Sequence, residues 1–426
     1  MSAQRVIYNL LYPVALVGAR ISSWFLPKMR EAISGRSGYE KRWSDMSASL
    51  HDACIWFHVA SVGEFEQARP VISAIKRAHP EIPVMVTFSS PSGYQFAKRR
   101  EAAEGRVLDF YDYLPLDRAR TMRRCLDWVR PRCLVFVKFD LWPNLIWEAR
   151  ARDIPLALID ATLSPSSKRL SGAGRWFYRE LYLALNPILA ISEEDAARFA
   201  HSAPGHRGIA VCGDTRFDRV MERWNARARD VLPLPDDGAL TLIAGSTWPP
   251  DEARLLPALT RLMREVPGLR AIIVPHEPLP GHVDPLRRWA LDNGLSVRTT
   301  SEKNADLSTQ VVIVDTVGVL AEAYAHAHVA YVGGAFSTGV HSVIEPAIAG
   351  LPVVFGPRHD NSFEAVQLIE RGAAVSVGNE EETYAALKGY LVNDAVRREA
   401  GAAAITYVNS QLGATEKCMA ALTSYL

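Results

Sequence analysis

Apolar and polar positions alternate in a regular way along most of the chain. From about residue 53, short runs rich in β-branched and aromatic residues take turns with amphipathic stretches of helical length. This alternation predicts parallel sheets covered by helices on both faces. The predicted strands are residues 54–60, 83–89, 133–139, 155–161 and 188–192 in a first group, and 240–246, 270–276, 310–316, 328–334 and 352–357 in a second. The sequence therefore predicts an α/β protein with two doubly wound domains.

The first 43 residues follow a different pattern. No charged residue lies between Val6 and Ala19, and the whole segment mixes aromatic side chains with seven basic and two acidic residues. The run is too short for a confident transmembrane helix, which needs about 20 apolar residues. Aromatic and basic residues together suit a helix that lies among anionic headgroups. We expect a membrane-associating segment over residues 1–43, with a helix packed on its own domain, or a short span, as alternatives.

Domain limits follow from the same pattern. Glycine, proline and charged residues collect between 205 and 235, where the alternation breaks and then restarts. We place the first doubly wound domain at residues 44–212 and the second at 213–404. A helix over residues 405–426 is expected to pack back towards the first domain.

Composition and charge narrow the possible classes. The 426 residues include 48 Lys and Arg against 47 Asp and Glu, so no overall charge favours nucleic acid as a partner. The five cysteines are scattered and never in a CxxC spacing, which disfavours a disulfide framework or a zinc site and fits a reducing compartment. Walker-type, GxGxxG and HExxH motifs do not occur. We predict neither a metal nor a cofactor.

The first candidate site follows the first predicted strand. In doubly wound sheets the ligand crevice lies at the carboxyl ends of the strands. Ser61 and Glu64 have the spacing of a capping box, in which each side chain satisfies a backbone donor at a helix start. Alternatively, Glu64 is a general base for an incoming hydroxyl group. A helix N-terminus lowers the pKa of a carboxylate, whereas burial would raise it.

A second pair of charged residues ends the strand at 133–139. Lys138 and Asp140 alternate with apolar neighbours and share one face of the chain. One interpretation is a salt bridge that orients the loop. The other is that Asp140 positions an acceptor or supports Glu64, while Lys138 meets an anionic group.

The second half carries residues typical of a nucleotide site. Backbone N–H groups at a helix start bind phosphate, and Gly245, Ser246 and Thr247 are expected to open such a helix. The pair Gly333 and Gly334 ends another strand. With His341 and a helix-initial Glu345 that can hold ribose hydroxyls, the combination is fairly specific.

Two further positions are open to two interpretations each. Asp315 begins a predicted helix after a strand, where it either caps the helix or contacts a ligand. Arg216 either pairs with Asp214 or Asp218, or neutralises a leaving phosphate group.

These motifs, in this order, resemble the 3-deoxy-D-manno-octulosonic acid (Kdo) transferase family of lipopolysaccharide assembly. The likeness extends over nearly the whole chain. The matching stretches are SVGE at 61–64, LWPN at 141–144, SEEDAARF at 192–199, GDTRFD at 213–218, GSTW at 245–248, VPHEP at 274–278, DTVGVL at 315–320, YVGGAF at 331–336 and the block 339–361.

The resemblance implies a GT-B fold, in which two Rossmann-like domains face a central cleft. It also implies inverting, metal-independent transfer of Kdo from CMP-Kdo to the lipid A precursor, at the cytoplasmic face of the bacterial inner membrane. The implied partners are CMP-Kdo, the lipid A precursor and an anionic membrane surface. Alternatives are a GT-B transferase that uses a UDP-sugar and a lipid-linked acceptor, or a catalytically inactive relative that binds nucleotide or lipid.

Roles for individual residues follow from the same resemblance. Glu64 and Asp140 are expected to be catalytic, and Ser61, Gly63 and Lys138 to contact the acceptor. The expected donor-binding residues are Arg216, Gly245, Ser246, Thr247, His276, Asp315, Thr316, Gly318, Gly333, Gly334, His341, Ser342, Glu345 and Asn361.

Overall fold

The computed structural model describes residues 2–50, 53–105, 107–227, 232, 234–235, 237–302 and 309–426. Part of the predicted stretch between the domains, residues 228–231 and 233, lies outside the described residues. The described chain divides into two compact units. The first comprises Met1–Arg219 with Leu412–Leu426, and the second comprises Val220–Gln411.

The first unit is built on a parallel sheet of seven described strands, in the order β3-β2-β1-β4-β5-β6-β7. In the central pair, Phe57 lies opposite Val135. The strands are β1 (Ile55–Val59), β2 (Val84–Phe88), β3 (Phe110–Tyr113), β4 (Cys133–Val137), β5 (Leu156–Ala161), β6 (Ile188–Ala190) and β7 (Ile209–Val211).

The second unit also contains a parallel sheet of seven strands within the described ranges, in the order β10-β11-β9-β8-β12-β13-β14. Its strands are β8 (Thr241–Thr247), β9 (Arg270–Pro275), β10 (Val297–Thr299), β11 (Val311–Ile313), β12 (Val329–Val332), β13 (Val353–Phe355) and β14 (Ala374–Ser376). The predicted α/β class with two doubly wound sheets is confirmed.

Helices cover the sheets. Up to residue 202 they are α1 (Ala3–Ser22), α2 (Pro27–Gly35), α3 (Tyr39–Leu50), α4 (Val62–Ala78), α5 (Pro91–Glu104), α6 (Ala119–Val129), α7 (Pro143–Arg150), α8 (Gly172–Ala184) and α9 (Glu193–Ser202). The remaining ones are α10 (Thr215–Asn225), α11 (Pro249–Glu265), α12 (Pro280–Asp292), α13 (Leu320–Ala323), α14 (Ile344–Ile348), α15 (Phe363–Glu370), α16 (Glu380–Val392), α17 (Asp394–Gln411) and α18 (Ala414–Leu422).

Both faces of each central strand are buried. Trp56 and Phe136 belong to one apolar cluster of the first unit, whereas Phe57 and Val135 belong to a cluster on the other face. Strands buried on two sides need apolar residues at every position, which explains their continuous apolar runs. The core therefore lies in two layers around each sheet.

The C-terminal segment belongs to the first unit. Asp218 accepts hydrogen bonds from the backbone N–H groups of Gly413 (2.8 Å) and Thr415 (2.6 Å) at the start of α18. Cys418 and Leu422 then join the apolar cluster that contains Phe57. The chain is helical in two pieces here, because α17 ends at Gln411 before α18 begins.

Helix α1 packs on the first unit through one polar face. Arg5 pairs with Glu148, Asn9 bonds to Asn144 at 3.1 Å, and Tyr8 donates to Asp117 at 2.8 Å. Apolar residues on the other side are exposed, and large exposed apolar patches are rare on soluble monomeric proteins. They are Ile7, Leu10, Val14, Val17 and Ile21 on α1, followed by Trp24 and Phe25.

No helix in the described part of the chain combines the length and apolar character needed to cross a bilayer.

Candidate active site

The first candidate site lies where the strand order of the first sheet reverses. The chain leaves β1 towards β2 and β3 on one side, and then resumes at β4 on the other. Ligands of doubly wound sheets bind at the carboxyl ends of such strand pairs. Glu64 follows β1 and Asp140 follows β4, so both predicted catalytic residues lie at this reversal point.

Glu64 is buried at the start of α4, with only 3% of its surface exposed. Ser61 is the N-cap, and its Oγ accepts the backbone N–H of Glu64 at 3.4 Å. In return, Glu64 Oε2 accepts the N–H of Ala60, one residue before the cap. The capping interpretation of Glu64 is therefore correct in kind, with the return bond shifted by one residue. Gly63 lies exposed beside it in the first helical turn.

Burial makes the Glu64 carboxyl a weaker acid than an exposed glutamate. It raises the pKa of this carboxyl to about 7, and the negative charge of Asp140 adds to the effect. The bond from Ala60 and the positive charge of Lys138 act in the opposite direction. A carboxyl with a pKa near neutrality is suited to accept a proton in a reaction at neutral pH.

Asp140, in contrast, is kept ionised by its hydrogen bonds. Its Oδ2 accepts hydrogen bonds from Ser89 Oγ at 2.7 Å, Trp142 Nε1 at 3.0 Å and His58 Nε2 at 3.2 Å. Burial alone would raise the pKa of Asp140, but these bonds and the interaction with His58 outweigh it and hold the pKa at about 2. The two carboxyls at this crevice therefore differ in charge near pH 6, which is how acid–base pairs are commonly arranged.

Lys138 does not pair with Asp140, so the predicted salt bridge is wrong. The strand ends at Val137, and Lys138 adopts a left-handed backbone with φ of 69°. Its ammonium group lies 5.5 Å from the centre of the Phe139 ring. The alternation of side chains expected from a continued strand is lost at this turn.

His58 is a member of the site that sequence reasoning missed. It is fully buried in β1, and its Nδ1 lies 2.9 Å from Thr87 Oγ1. Because an ionised carboxylate only accepts hydrogen bonds, His58 Nε2 must carry a hydrogen and donate it in the bond to Asp140 Oδ2. A polar residue in the middle of an apolar strand was the available signal.

The second sheet reverses its order between β8 and β12. Gly333 and Gly334 follow β12, and their lack of side chains is required by the packing. A Cβ on Gly333 would clash with the carbonyl oxygen of Ser246, and one on Gly334 would clash with Gly339. Gly334 also has a φ of 94°, which favours glycine. The backbone therefore turns tightly at this crevice.

Three aromatic rings stack beside this turn. The rings of His276 and His341 lie 4.3 Å apart at 11°, and Trp248 stacks on His276 at 4.7 Å. Trp248 Nε1 donates to His341 Nε2 at 3.1 Å, so the proton of neutral His341 is on Nδ1. Burial, with help from His276, lowers the pKa of His341 to about 4. Trp248 was not among the predicted site residues.

The expected helix start at Gly245 is wrong. Gly245, Ser246 and Thr247 complete β8, and α11 begins at Pro249. Pro249 and Pro250 have no N–H group to offer an anion. The N–H groups of the next two residues bond to the carbonyl of Trp248. The first turn of α11 is therefore not the phosphate cradle that the sequence suggested.

Asp315 is not a helix cap. Its carboxylate accepts hydrogen bonds from Thr300 Oγ1 at 2.8 Å and from the N–H of Ser301 at 2.9 Å, and so holds the turn after β10. The short helix α13 begins at Leu320 without a side-chain cap. Thr316 and Gly318 are exposed on the loop between them.

The remaining predicted donor residues follow the glycine turn. Glu345 lies in the first turn of α14, as expected, and pairs with Ser342 Oγ. Asn361 Nδ2 donates to the carbonyl of Val340 at 3.1 Å, and its side chain fills the space beside Gly339. The structure therefore groups Gly333, Gly334, His341 and Asn361 with β8 and His276.

Arg216 lies in the first unit, apart in sequence and in unit from the other predicted donor residues. Its guanidinium bonds to Asp214 at 2.6 and 2.8 Å, and its backbone N–H also bonds to that carboxylate. The interpretation that Arg216 pairs with Asp214 is thus correct. Among the described residues, no group of three His, Cys, Asp or Glu side chains is placed to hold a metal ion.

Comparison with known proteins shows which enzymes the chain resembles. Residues 31–219 match a family model described as 3-deoxy-D-manno-octulosonic-acid transferase. The 3-deoxy-D-manno-octulosonic acid transferase of Bordetella pertussis is 29% identical over 389 residues, and the match covers 88% of each chain. The corresponding enzyme of Haemophilus influenzae is 25% identical, with 94% of this chain covered and 92% of the relative.

The fold has its own relatives among solved structures. MurG of Acinetobacter baumannii superimposes with a TM-score of 0.56 at 15% identity, covering 87% of this chain and 99% of that one. The order of both sheets, the crevice residues and these matches agree with one another. The chain is similar over most of its length to 3-deoxy-D-manno-octulosonic acid transferases, and it is a glycosyltransferase with a GT-B fold.

Proposed function

We propose that this protein is an inverting, metal-independent transferase that moves Kdo from CMP-Kdo to a hydroxyl group of the lipid A precursor, with Glu64 as the general base. One observation carries the proposal. Glu64 is a buried carboxyl with a pKa of about 7 at the strand reversal of the first sheet, beside Asp140, which is held ionised.

The chemistry uses the two carboxyls differently. As the acceptor hydroxyl oxygen attacks the anomeric carbon of Kdo, Glu64 takes its proton and the bond from that carbon to the CMP phosphate oxygen breaks. Asp140 Oδ2 is occupied by three hydrogen bonds, while Oδ1 accepts none from the described residues. Oδ1 is therefore available to orient the acceptor. Ser61, Gly63 and Lys138 remain its other proposed contacts.

The donor is assigned to the second unit. Gly333 and Gly334 allow the backbone to come close to a nucleotide, and His341 offers an Nδ1 proton to an acceptor atom of the donor. His276 stacks on that imidazole and keeps it in place. The carboxylate of Glu345 is placed at a helix start to accept ribose hydroxyls.

The exposed apolar side of α1 supports attachment to one face of a membrane. Leu10 and Val14 are each 69% exposed, and Trp24 and Phe25 continue the same surface. A helix with such a side and with Lys and Arg nearby binds in the interface plane of a bilayer. The five cysteines are all free, which is consistent with the cytoplasmic face of the bacterial inner membrane.

A donor and acceptor assay tests the proposal. Purified full-length protein is incubated with tetra-acylated lipid A precursor and either CMP-Kdo or a UDP-sugar. The glycolipid product is identified by mass spectrometry. We expect Kdo transfer from CMP-Kdo alone. Transfer only from the UDP-sugar would contradict the donor assignment, and tight CMP binding without any transfer would indicate an inactive relative.

A further inference from the structure

A cavity of about 650 Å³ opens in the first unit, between α1, α2 and the carboxyl end of the sheet. Its wall is mainly apolar, with Leu16 from α1, Met29 and Ile33 from α2, and Leu116 from the loop before α6. The volume is within the range of about 300–1,000 Å³ that is usual for small-molecule sites. None of the proposed reaction steps uses this cavity.

The inner end of the cavity reaches the candidate active site. Ser89 and Trp142 line it, and both donate hydrogen bonds to Asp140 Oδ2. A molecule in the cavity therefore lies one side chain away from the proposed acceptor-orienting carboxylate.

The rim of the cavity is positively charged. Arg20 and Arg118 line it and are exposed, and neither guanidinium is paired with a carboxylate in the described ranges. No Asp or Glu is found among the described lining residues. An apolar interior with an arginine rim is complementary to an apolar chain attached to an anionic headgroup.

The cavity is held open by the protein itself. Arg36 donates to the carbonyls of Leu114 and Ser89, each at 2.8 Å, and also to that of Ala32, which joins α2 to the end of the sheet. On the other wall, Tyr12 Oη accepts the N–H of Asp117 at 2.9 Å and fixes α1. A cavity formed in advance needs little ordering when a flexible chain enters.

We propose that this cavity binds one fatty acyl chain of the acceptor, an acylated and phosphorylated sugar, and so positions the sugar hydroxyl near Asp140. This assignment rests on the proposed function. A bulk membrane lipid would already be served by the outward side of α1, where Leu10 and Val14 are exposed. Only a molecule that must be held near the reacting atoms gains from a site that ends at Ser89 and Trp142.

The first test fills the cavity. Ala32→Phe places a ring in it, and Val14→Phe adds the same ring on the outward side of α1, outside the cavity. Each variant is assayed with the tetra-acylated precursor and with the same disaccharide stripped of its acyl chains. We expect Ala32→Phe to raise the KM for the acylated acceptor at least tenfold, with kcat within twofold and no change for the stripped acceptor. Equal effects of the two variants, or equal effects on both acceptors, would overturn the proposal.

A second test needs neither transfer nor a variant. The wild-type protein is irradiated with a tetra-acylated precursor that carries a diazirine at the end of an acyl chain, and labelled peptides are mapped by mass spectrometry. Labelling at Leu16, Met29 or Ile33 supports the cavity even if no Kdo is transferred, in which case only the proposed function fails. Labelling confined to Leu10 and Val14 would overturn the cavity assignment.

Discussion

The two sheets place different chemistry at equivalent points. At the β1–β4 reversal of the first unit, titratable side chains dominate, and the pKa values of Glu64 and Asp140 are shifted in opposite directions. At the β8–β12 reversal of the second unit, glycines and stacked rings replace them. One topology therefore carries two carboxyls of opposite pKa shift in one unit and a tightly turned, glycine-rich backbone in the other.

This difference predicts how each site fails. A site made of titratable groups loses its chemistry when one atom changes, while its fold survives. A site made of glycines loses its shape when one atom is added, and the surrounding fold is damaged as well. Mutations in the two units should therefore separate activity from stability.

The largest effect is expected from Glu64→Gln in the first unit. Glutamine can still accept the N–H of Ala60 but cannot take a proton, so transfer should fall by about 10²–10⁴-fold. Glu66→Gln is the matched control, because Glu66 lies on the same helix and its carboxylate pairs with Arg69 and Arg219. Transfer rates from CMP-Kdo are measured for both. Near-normal Kdo transfer by Glu64→Gln would contradict the role of Glu64 and indicate that Asp140 is the base.

Gly333→Ala should destabilise the second unit, because there is no space for the added Cβ. The added Cβ meets backbone atoms of Ser246 and Thr247, which cannot move aside as a flexible side chain would. We expect a loss of stability on the order of 3 kcal/mol and no measurable CMP binding. Gly389→Ala in α16 has open space around it and should stabilise the protein by about 0.5–1 kcal/mol. Denaturant unfolding and CMP calorimetry on both variants check this pair, and equal stability would contradict it.

The difference in stability between Glu64→Gln and wild type should depend on pH. The pKa of Glu64 is raised from 4.5 to about 7 on folding, so folding disfavours the ionised form. Below pH 4.5 the carboxyl is protonated in both the folded and the unfolded protein, and the stability that its protonated form contributes is fully present. This contribution is lost as pH rises through 7, because the buried carboxyl must then ionise. Glutamine does not ionise and so does not lose it. Glu64→Gln should be more stable than wild type by about 3 kcal/mol at pH 8, and equally stable near pH 4.

Unfolding curves at pH 4 and pH 8 measure the difference between these two proteins. A variant that is destabilised at pH 8 would show that the carboxylate contributes to folding as an ionised cap.

The smallest effect is expected from Trp248→Phe in the second unit. Phenylalanine keeps the ring stack but removes the N–H that fixes the tautomer of His341. We expect the KM for CMP-Kdo to rise about threefold to tenfold, with kcat little changed, which corresponds to about 1 kcal/mol. Trp289→Phe, which removes a similar bond to Thr260, is the control. Equal KM values for the two variants would contradict the role of Trp248.

The sequence predicted the interior of each sheet and missed its edges. The strands it missed among the described residues are β3, β7, β10 and β14, and these form the outer edges of the two sheets. Ala210, Arg298 and Val375 in them are exposed, so the strands lack the continuous apolar run of a strand buried on both faces. Periodicity alone does not separate such short, half-buried strands from loops.

Site residues were predictable where chemistry lies in a local motif. Glu64 and Asp140 follow strands directly and could be named, whereas His58 was hidden in the apolar run of β1. Its role depends on Asp140, which is 82 residues away along the chain. The two prolines that remove the N–H donors of α11 were visible in the sequence, yet the length of β8 before them was not.

The most direct test of Glu64 as the base is the pH dependence of kcat/KM for the acceptor, measured for wild type and Glu64→Gln between pH 5 and 8.5. We expect the wild-type kcat/KM to rise about tenfold per pH unit at low pH and to level off near pH 7, where Glu64 becomes ionised. The residual rate of Glu64→Gln should not change over this range. A wild-type rate that is flat from pH 5 to 8.5, or a variant that keeps the same profile, would contradict the assignment.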